Sequence, residues 1–115
     1  MTAISISDHA VKRWRERSDK LKNRSGCSDE ELRLELVDLF ERSRRAKLAN
    51  CPNARYIRTK YGPNSEYYVA TRKSTKWLLV FGYGAYLVTV FKIRKNDTTW
   101  IDYVTNEPIN KPKND

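Results

Sequence analysis

With 115 residues, 39% of them hydrophobic and 11% aromatic, the chain has the size of one domain and the material for a single modest core, which excludes a disordered polymer. Its formal charge of +9, from 23 basic against 14 acidic residues, favours a polyanionic partner, most often nucleic acid. No apolar run approaches the roughly 18 residues that cross a bilayer, and Met1-Thr2-Ala3 shows no basic-then-apolar leader pattern. No membrane partner is therefore expected, and the protein reads as cytoplasmic.

Ile4-Ser5-Ile6 alternates and predicts a short first strand or an extended lead-in. A helix is expected from about Asp8 to Lys22, opened by Ser7 or Asp8 as cap. At 100° per residue Ala10, Val11, Trp14, Ser18 and Leu21 make its inward stripe. His9, Arg13, Glu16, Arg17 and Lys20 fall on the other side at i, i+4 spacing. Asn23 to Gly26 breaks the helix. Ser28-Asp29-Glu30-Glu31 has the form of a capping box and predicts a second helix to about Lys47. Its stripe is Leu32, Leu36, Leu39, Phe40 and Ser43, and Leu34 falls off it. Arg42, Arg44, Arg45 and Lys47 are read as complementing the end of this helix, and Asn50-Cys51-Pro52-Asn53 as its stop.

The second half changes to a period of 2. Strands are expected over Arg55 to Tyr61, Tyr67 to Arg72, Lys76 to Phe81, Tyr86 to Arg94 and Thr99 to Val104. Gly82-Tyr83-Gly84 is the clearest hairpin connection, and residues after Thr105 read as a frayed tail. The expected fold is α+β: two N-terminal helices packed on one face of an antiparallel sheet of about four to five strands. It forms one domain over residues 1–105, with a flexible tail over 106–115.

Several chemistries lack their residues. There is no phosphate-binding glycine loop and no nucleophile elbow. Cys27 and Cys51 are the two cysteines, neither in a C-x-x-C pair, and there is one histidine. No metal site and no cofactor are expected, and the thiols read as free. Cleavage of RNA remains permitted: the 2′-hydroxyl is the nucleophile, and the enzyme supplies a proton acceptor or donor and cations for the phosphate. His9 one turn from Arg13 can serve this, although the same stripe is also what a solvated basic face looks like. Thr89 shares a strand face with Leu87, Phe91 and Ile93, and is either a plain β-former or a phosphate-binding hydroxyl beside His9. Lys12, Arg17, Lys20, Lys76 and Lys92 extend the cationic surface. Tyr83, at the hairpin tip, is the best candidate for an exposed aromatic that stacks on bases.

These residues together resemble a known group. The short strand, Ser7-Asp8-His9-Ala10-Val11-Lys12-Arg13, the Ser-Asp-Glu-Glu helix start and the final Leu87-Val88-Thr89-Val90-Phe91-Lys92 look like small RelE-like members of the barnase–EndoU–colicin nuclease superfold. The resemblance spans about residues 4 to 94. Such proteins often occur as toxins, phage proteins or mobile-element proteins. The resemblance implies metal-independent RNA cleavage, with His9 catalytic, Arg13 a helper cation, Arg72 or Lys76 a strand cation and Thr89 the polar last-strand residue. The chain departs from the group in a long insertion from Cys51 to Glu66 and in Phe91 where a tyrosine is common.

The leading expectation is thus a small basic protein acting on RNA, in preference to DNA, as a RelE-like endoribonuclease. Two alternatives use other features. One is a non-catalytic nucleic-acid-binding module on the same basic surface. The other is a protein that binds a protein partner, as an antitoxin-bound toxin or a phage-encoded inhibitor of a host factor does. For the latter, Leu34, Tyr83 and an open edge at Thr99 to Val104 are the contact candidates.

Overall fold

A computed structural model describes residues 4–18, 26–82 and 84–110. In chain order these form β1 (Ser5–Ile6), α1 (Asp8–Arg17), α2 (Asp29–Glu41), β2 (Arg44–Leu48), α3 (Pro52–Tyr61), β3 (Glu66–Arg72), β4 (Thr75–Gly82), β5 (Tyr86–Ile93) and β6 (Trp100–Asp102). The α+β class is as expected. The sheet has six strands in the order β1-β5-β4-β3-β2-β6 and is mixed, because β1 runs parallel to β5.

Helices cover both sheet faces. Ala10, Val11 and Trp14 of α1 and Leu32, Leu36 and Leu39 of α2 pack on Ala70, Trp77, Leu79, Phe81, Leu87 and Val90. Trp14 is the joint of this layer. Its ring meets Trp77 edge-on at 4.9 Å, and its indole N–H donates to Glu35 of α2 at 2.8 Å. On the opposite face Ile57 of α3 packs with Ala46, Tyr67, Val69, Leu78, Val80, Ile93 and Trp100. The chain therefore has three helical elements among the described residues, where two on a single face were expected.

Two segments depart from the sequence reading. The helix expected to reach Lys47 ends at Glu41, and residues 44–48 form β2. From Ser43 onward the apolar spacing drops to two, and Ala46 is seated between Tyr67 of β3 and Asp102 of β6. The arginines assigned to a helix end instead serve the sheet. Arg44 Nε lies 2.9 Å from Asp102 Oδ2, and Arg45 Nη2 lies 3.2 Å from Glu66 Oε1.

The segment expected as a strand over Arg55 to Tyr61 is α3. Its β-forming residues Tyr56, Ile57, Thr59 and Tyr61 are outweighed by Pro52 at the first helical turn, a position that loses no hydrogen bond to proline. Burial of Ala54 and Ile57 at i, i+3 follows. The Asn50 to Asn53 cluster, expected to stop the second helix, follows β2 and starts α3. The first helix, expected to reach about Lys22, ends at Arg17, where Ser18 turns to extended backbone; residues 19–25 lie outside the described residues.

The chain after Thr105 is seated on the sheet as far as Asn110. Ile109 N–H donates to Trp100 O at 3.0 Å, and Ile101 bridges Pro108. The Asn110 side-chain amide donates to Arg94 O and Asp97 O, both at 2.8 Å. The edge of β6, expected to be open, is covered by this return. Residues 111–115 lie outside the described residues.

Asp102 organises the turn that makes the return. Its Oδ1 accepts from the backbone N–H groups of Val104 at 2.9 Å and Thr105 at 3.0 Å. The Thr105 N–H, opposed by burial and joined by Val104 and Arg44, holds the carboxyl below its ordinary value. A depressed carboxylate stabilises the fold above its unfolded value and loses that contribution as pH falls. Asp102→Asn is expected to cost about 1 kcal/mol at pH 7. In urea titrations from pH 7 to pH 3 the gap to the wild type should narrow below about 3.8. A gap that stays constant through that range would exclude the carboxylate as its source.

Candidate functional site

β1 covers β5 only at Ser5 opposite Tyr86 and Ile6 opposite Leu87. Beyond that point the outer edge of β5 carries unpaired backbone groups, which must find partners. α1 supplies them. Ser7 N–H donates to Leu87 O at 3.1 Å. The Ser7 hydroxyl donates to Val88 O at 3.0 Å while accepting from Ala10 N–H at 2.9 Å, so one side chain caps the helix and ties it to the strand. One turn beyond Arg13, Arg17 Nη1 donates to Val90 O at 2.9 Å. The helix is thereby laid along the strand edge, with its apolar stripe inward and the row His9, Arg13 and Arg17 at the rim.

The β4–β5 register shifts at this place. Val80 faces Thr89, while Phe81 faces Leu87, so Val88 is an extra residue in β5. The bulge puts Leu87 into the core under α1 and α2 and turns Thr89 to the face that carries α3. This corrects the alternation expected from sequence, in which Leu87 and Thr89 share a face. Thr89 nonetheless lines the same groove as His9, because α1 runs along the β5 edge.

The result is a groove of about 530 Å³ lined by His9, Arg13 and Arg17 of α1, Tyr56, Ile57, Lys60 and Tyr61 of α3, and Val88, Thr89 and Phe91 of β5. Three cations, one imidazole and two phenols share it with a hydroxyl, and no carboxylate is among these lining residues. Glu16 of α1 pairs with one of these cations, its Oε2 3.0 Å from Arg13 Nη1. Lys60 Nζ stands 5.4 Å from the ring centre of Tyr61 and 6.0 Å from that of Tyr56. Chemically, such a groove can hold a phosphate, stack an aromatic ring and exchange one proton.

Of the expected site residues, His9, Arg13, Arg17 and Thr89 come together here. The strand cations do not. Arg72 lies over the Trp14 ring at 5.5 Å on the α1–α2 face. Lys76 donates to Ile109 O at 3.1 Å and to Asn110 Oδ1 at 3.0 Å, and with Lys92 lines a separate cleft that also holds Arg94 and Lys95. Lys12 is exposed on α1 and outside the groove's lining. Lys20 and Tyr83 lie outside the described residues.

No family model, no curated protein and no solved structure matches this chain. Among the described residues, no helix is long and apolar enough to cross a membrane, and no three His, Cys, Asp or Glu side chains converge to hold a metal.

The α3 wall is the part of the site that sequence reasoning missed. Its signal was present: Pro52 followed by Ala54, Ile57 and Tyr61 is helical spacing, and it sets Tyr56 and Lys60 off the buried stripe.

Ser7 is the residue on which His9 depends for its place. Ser7→Ala removes both the helix cap and the bond to Val88 O. It should lower stability by about 2 kcal/mol in chemical denaturation. A loss under a few tenths would show that α1 is positioned by its apolar stripe alone.

Proposed function

We propose that the groove between α1 and α3 binds RNA and cleaves it, with His9 as the proton-transfer group. The convergence of His9, Arg13, Arg17, Lys60 and Thr89 in one groove without a lining carboxylate carries this reading. It agrees with the activity that a RelE-like resemblance implies, but draws its cations from α1 and α3 instead of from Arg72 and Lys76.

In the proposed reaction the 2′-oxygen attacks phosphorus and the bond to the 5′-oxygen breaks, leaving a 2′,3′-cyclic phosphate and a 5′-hydroxyl. His9 takes the proton of the 2′-hydroxyl, and the departing oxygen receives its proton from solvent, to which His9 is exposed. Arg13, Arg17 and Lys60 offset the charge that grows on the phosphate oxygens. Arg17 is held by Val90 O, so its charge is fixed in place before the substrate arrives. The Thr89 hydroxyl, on the groove floor, orients the phosphate.

The test uses labelled single-stranded RNA in excess EDTA. The wild type should yield cyclic-phosphate ends, and His9→Ala should be slower by about 10²- to 10⁴-fold, the range for a general acid or base. An oligonucleotide with deoxyribose at the cleavage position should bind and stay intact. Equal cleavage by His9→Ala would end the assignment. RNA retained without cleavage, and released steeply as salt rises, would mark the surface as a binding module.

A further inference from the structure

Resting on the reading of the groove as an RNA site, we infer that Tyr56 is a stacking platform for one unpaired base, which restricts the groove to single-stranded substrate. Three observations carry this.

Tyr56 is 61% exposed. α3 buries Ala54 and Ile57 against the sheet, and Tyr56 lies between them in sequence on the outward side. The core therefore has no use for an aromatic ring at this position.

The ring also belongs to the groove, on the wall opposite His9 and Arg13. Lys60, one turn along α3, stands 6.0 Å from its centre. An aromatic face and an ammonium are so placed within the reach of one nucleotide, the base on the ring and its phosphate at the cation. Stacking of this kind tolerates any base, because every base has a π-face.

Third, the groove's about 530 Å³ is the size of a small-molecule cleft. It admits one or two nucleotides of a flexible strand. In a duplex both faces of each base are already covered by neighbours, so no face is available to Tyr56. α3 thus sets which nucleic acid enters, while α1 carries the groups assigned to the chemistry.

The inference is tested with a 2′-O-methyl oligonucleotide, which cannot be cleaved, carrying a single 2-aminopurine. The wild type should quench the 2-aminopurine on binding, and Tyr56→Phe should do the same, since the ring and not the hydroxyl stacks. Tyr56→Ala should lose the quenching and bind roughly ten- to a hundredfold more weakly, the loss of one base stack. On cleavable RNA the same variant should raise KM far more than it lowers kcat. The same oligonucleotide annealed to its complement should bind at least tenfold more weakly than the single strand.

Quenching that persists in Tyr56→Ala, or a duplex held as tightly as the single strand, overturns the role of Tyr56 while cleavage through His9 still stands. Failure of the wild type to bind any RNA overturns both. Loss of cleavage in His9→Ala with quenching intact separates the two walls and supports both.

Discussion

The open edge of β5 is the constraint from which the rest of the site follows. β1 is two residues long and satisfies β5 only as far as Leu87. A bare strand edge invites pairing with another chain, and buried backbone groups without partners are costly. α1 solves this with side chains, through the Ser7 hydroxyl at Val88 O and the Arg17 guanidinium at Val90 O. A helix bound in this way must run alongside the strand. Its apolar stripe then meets Trp77, Leu79 and Val90, and the polar row one-third of a turn away lands at the rim of the sheet. His9 and Arg13 are at the groove because the strand edge had to be covered. The bulge at Val88 completes the arrangement, since without it Thr89 would face the α1–α2 core beside Leu87.

Trp14 makes this placement rigid. It is fully buried, and it touches three other elements at once: Trp77 of β4 by its ring edge, Glu35 of α2 through its indole N–H, and Arg72 of β3 across its face. Arg72 was a candidate for phosphate chemistry in sequence. Its half-buried position over an indole face gives the same charge a different setting, packed on the edge of the core.

What was legible in sequence were the features set by local pattern. The Ser7 and Ser28 caps, the stripe Ala10, Val11 and Trp14, the exposure of Leu34 (70%) and the hairpin run β3–β4–β5 all follow from periods and caps within about a dozen residues. The errors arose where tertiary pairing overrides propensity. Arg44 to Leu48 has a composition a helix would accept, and it is a strand because β3 and β6 need a partner between them. Residues 55–61 are rich in β-formers, and they are helical because Pro52 starts a turn and Ala54 and Ile57 find the second face of the sheet. The half of the site on α1 was therefore visible. The half on α3 was not, because seeing it required knowing that the sheet has helices on both faces. The bulge was invisible for another reason: one inserted residue leaves the alternating pattern on each side of it intact.

The distribution of charge gives the two walls a common direction. α2 carries six carboxylates, at positions 29, 30, 31, 35, 38 and 41, against the single Arg33. Several are engaged, Asp29 with Arg15 and Asp38 with Arg42, but the helix as a whole remains an acidic surface in a chain of +9. It covers one sheet face, and α3 with its groove lies on the other and round the β5 edge. A protein that is basic overall but evenly so would attract a polyanion in any orientation. Here the lining of the α1–α3 groove holds three cations and no carboxylate, and a cleft lined by one sign of charge focuses the field and raises the local concentration of an oppositely charged ligand. The carboxylates of α2 thus have two effects from one placement. Those in the first turn, Asp29, Glu30 and Glu31, stabilise the start of their own helix, where acids complement the dipole, and all six lie on α2, which packs on the sheet face opposite α3, so none is among the residues that line the groove.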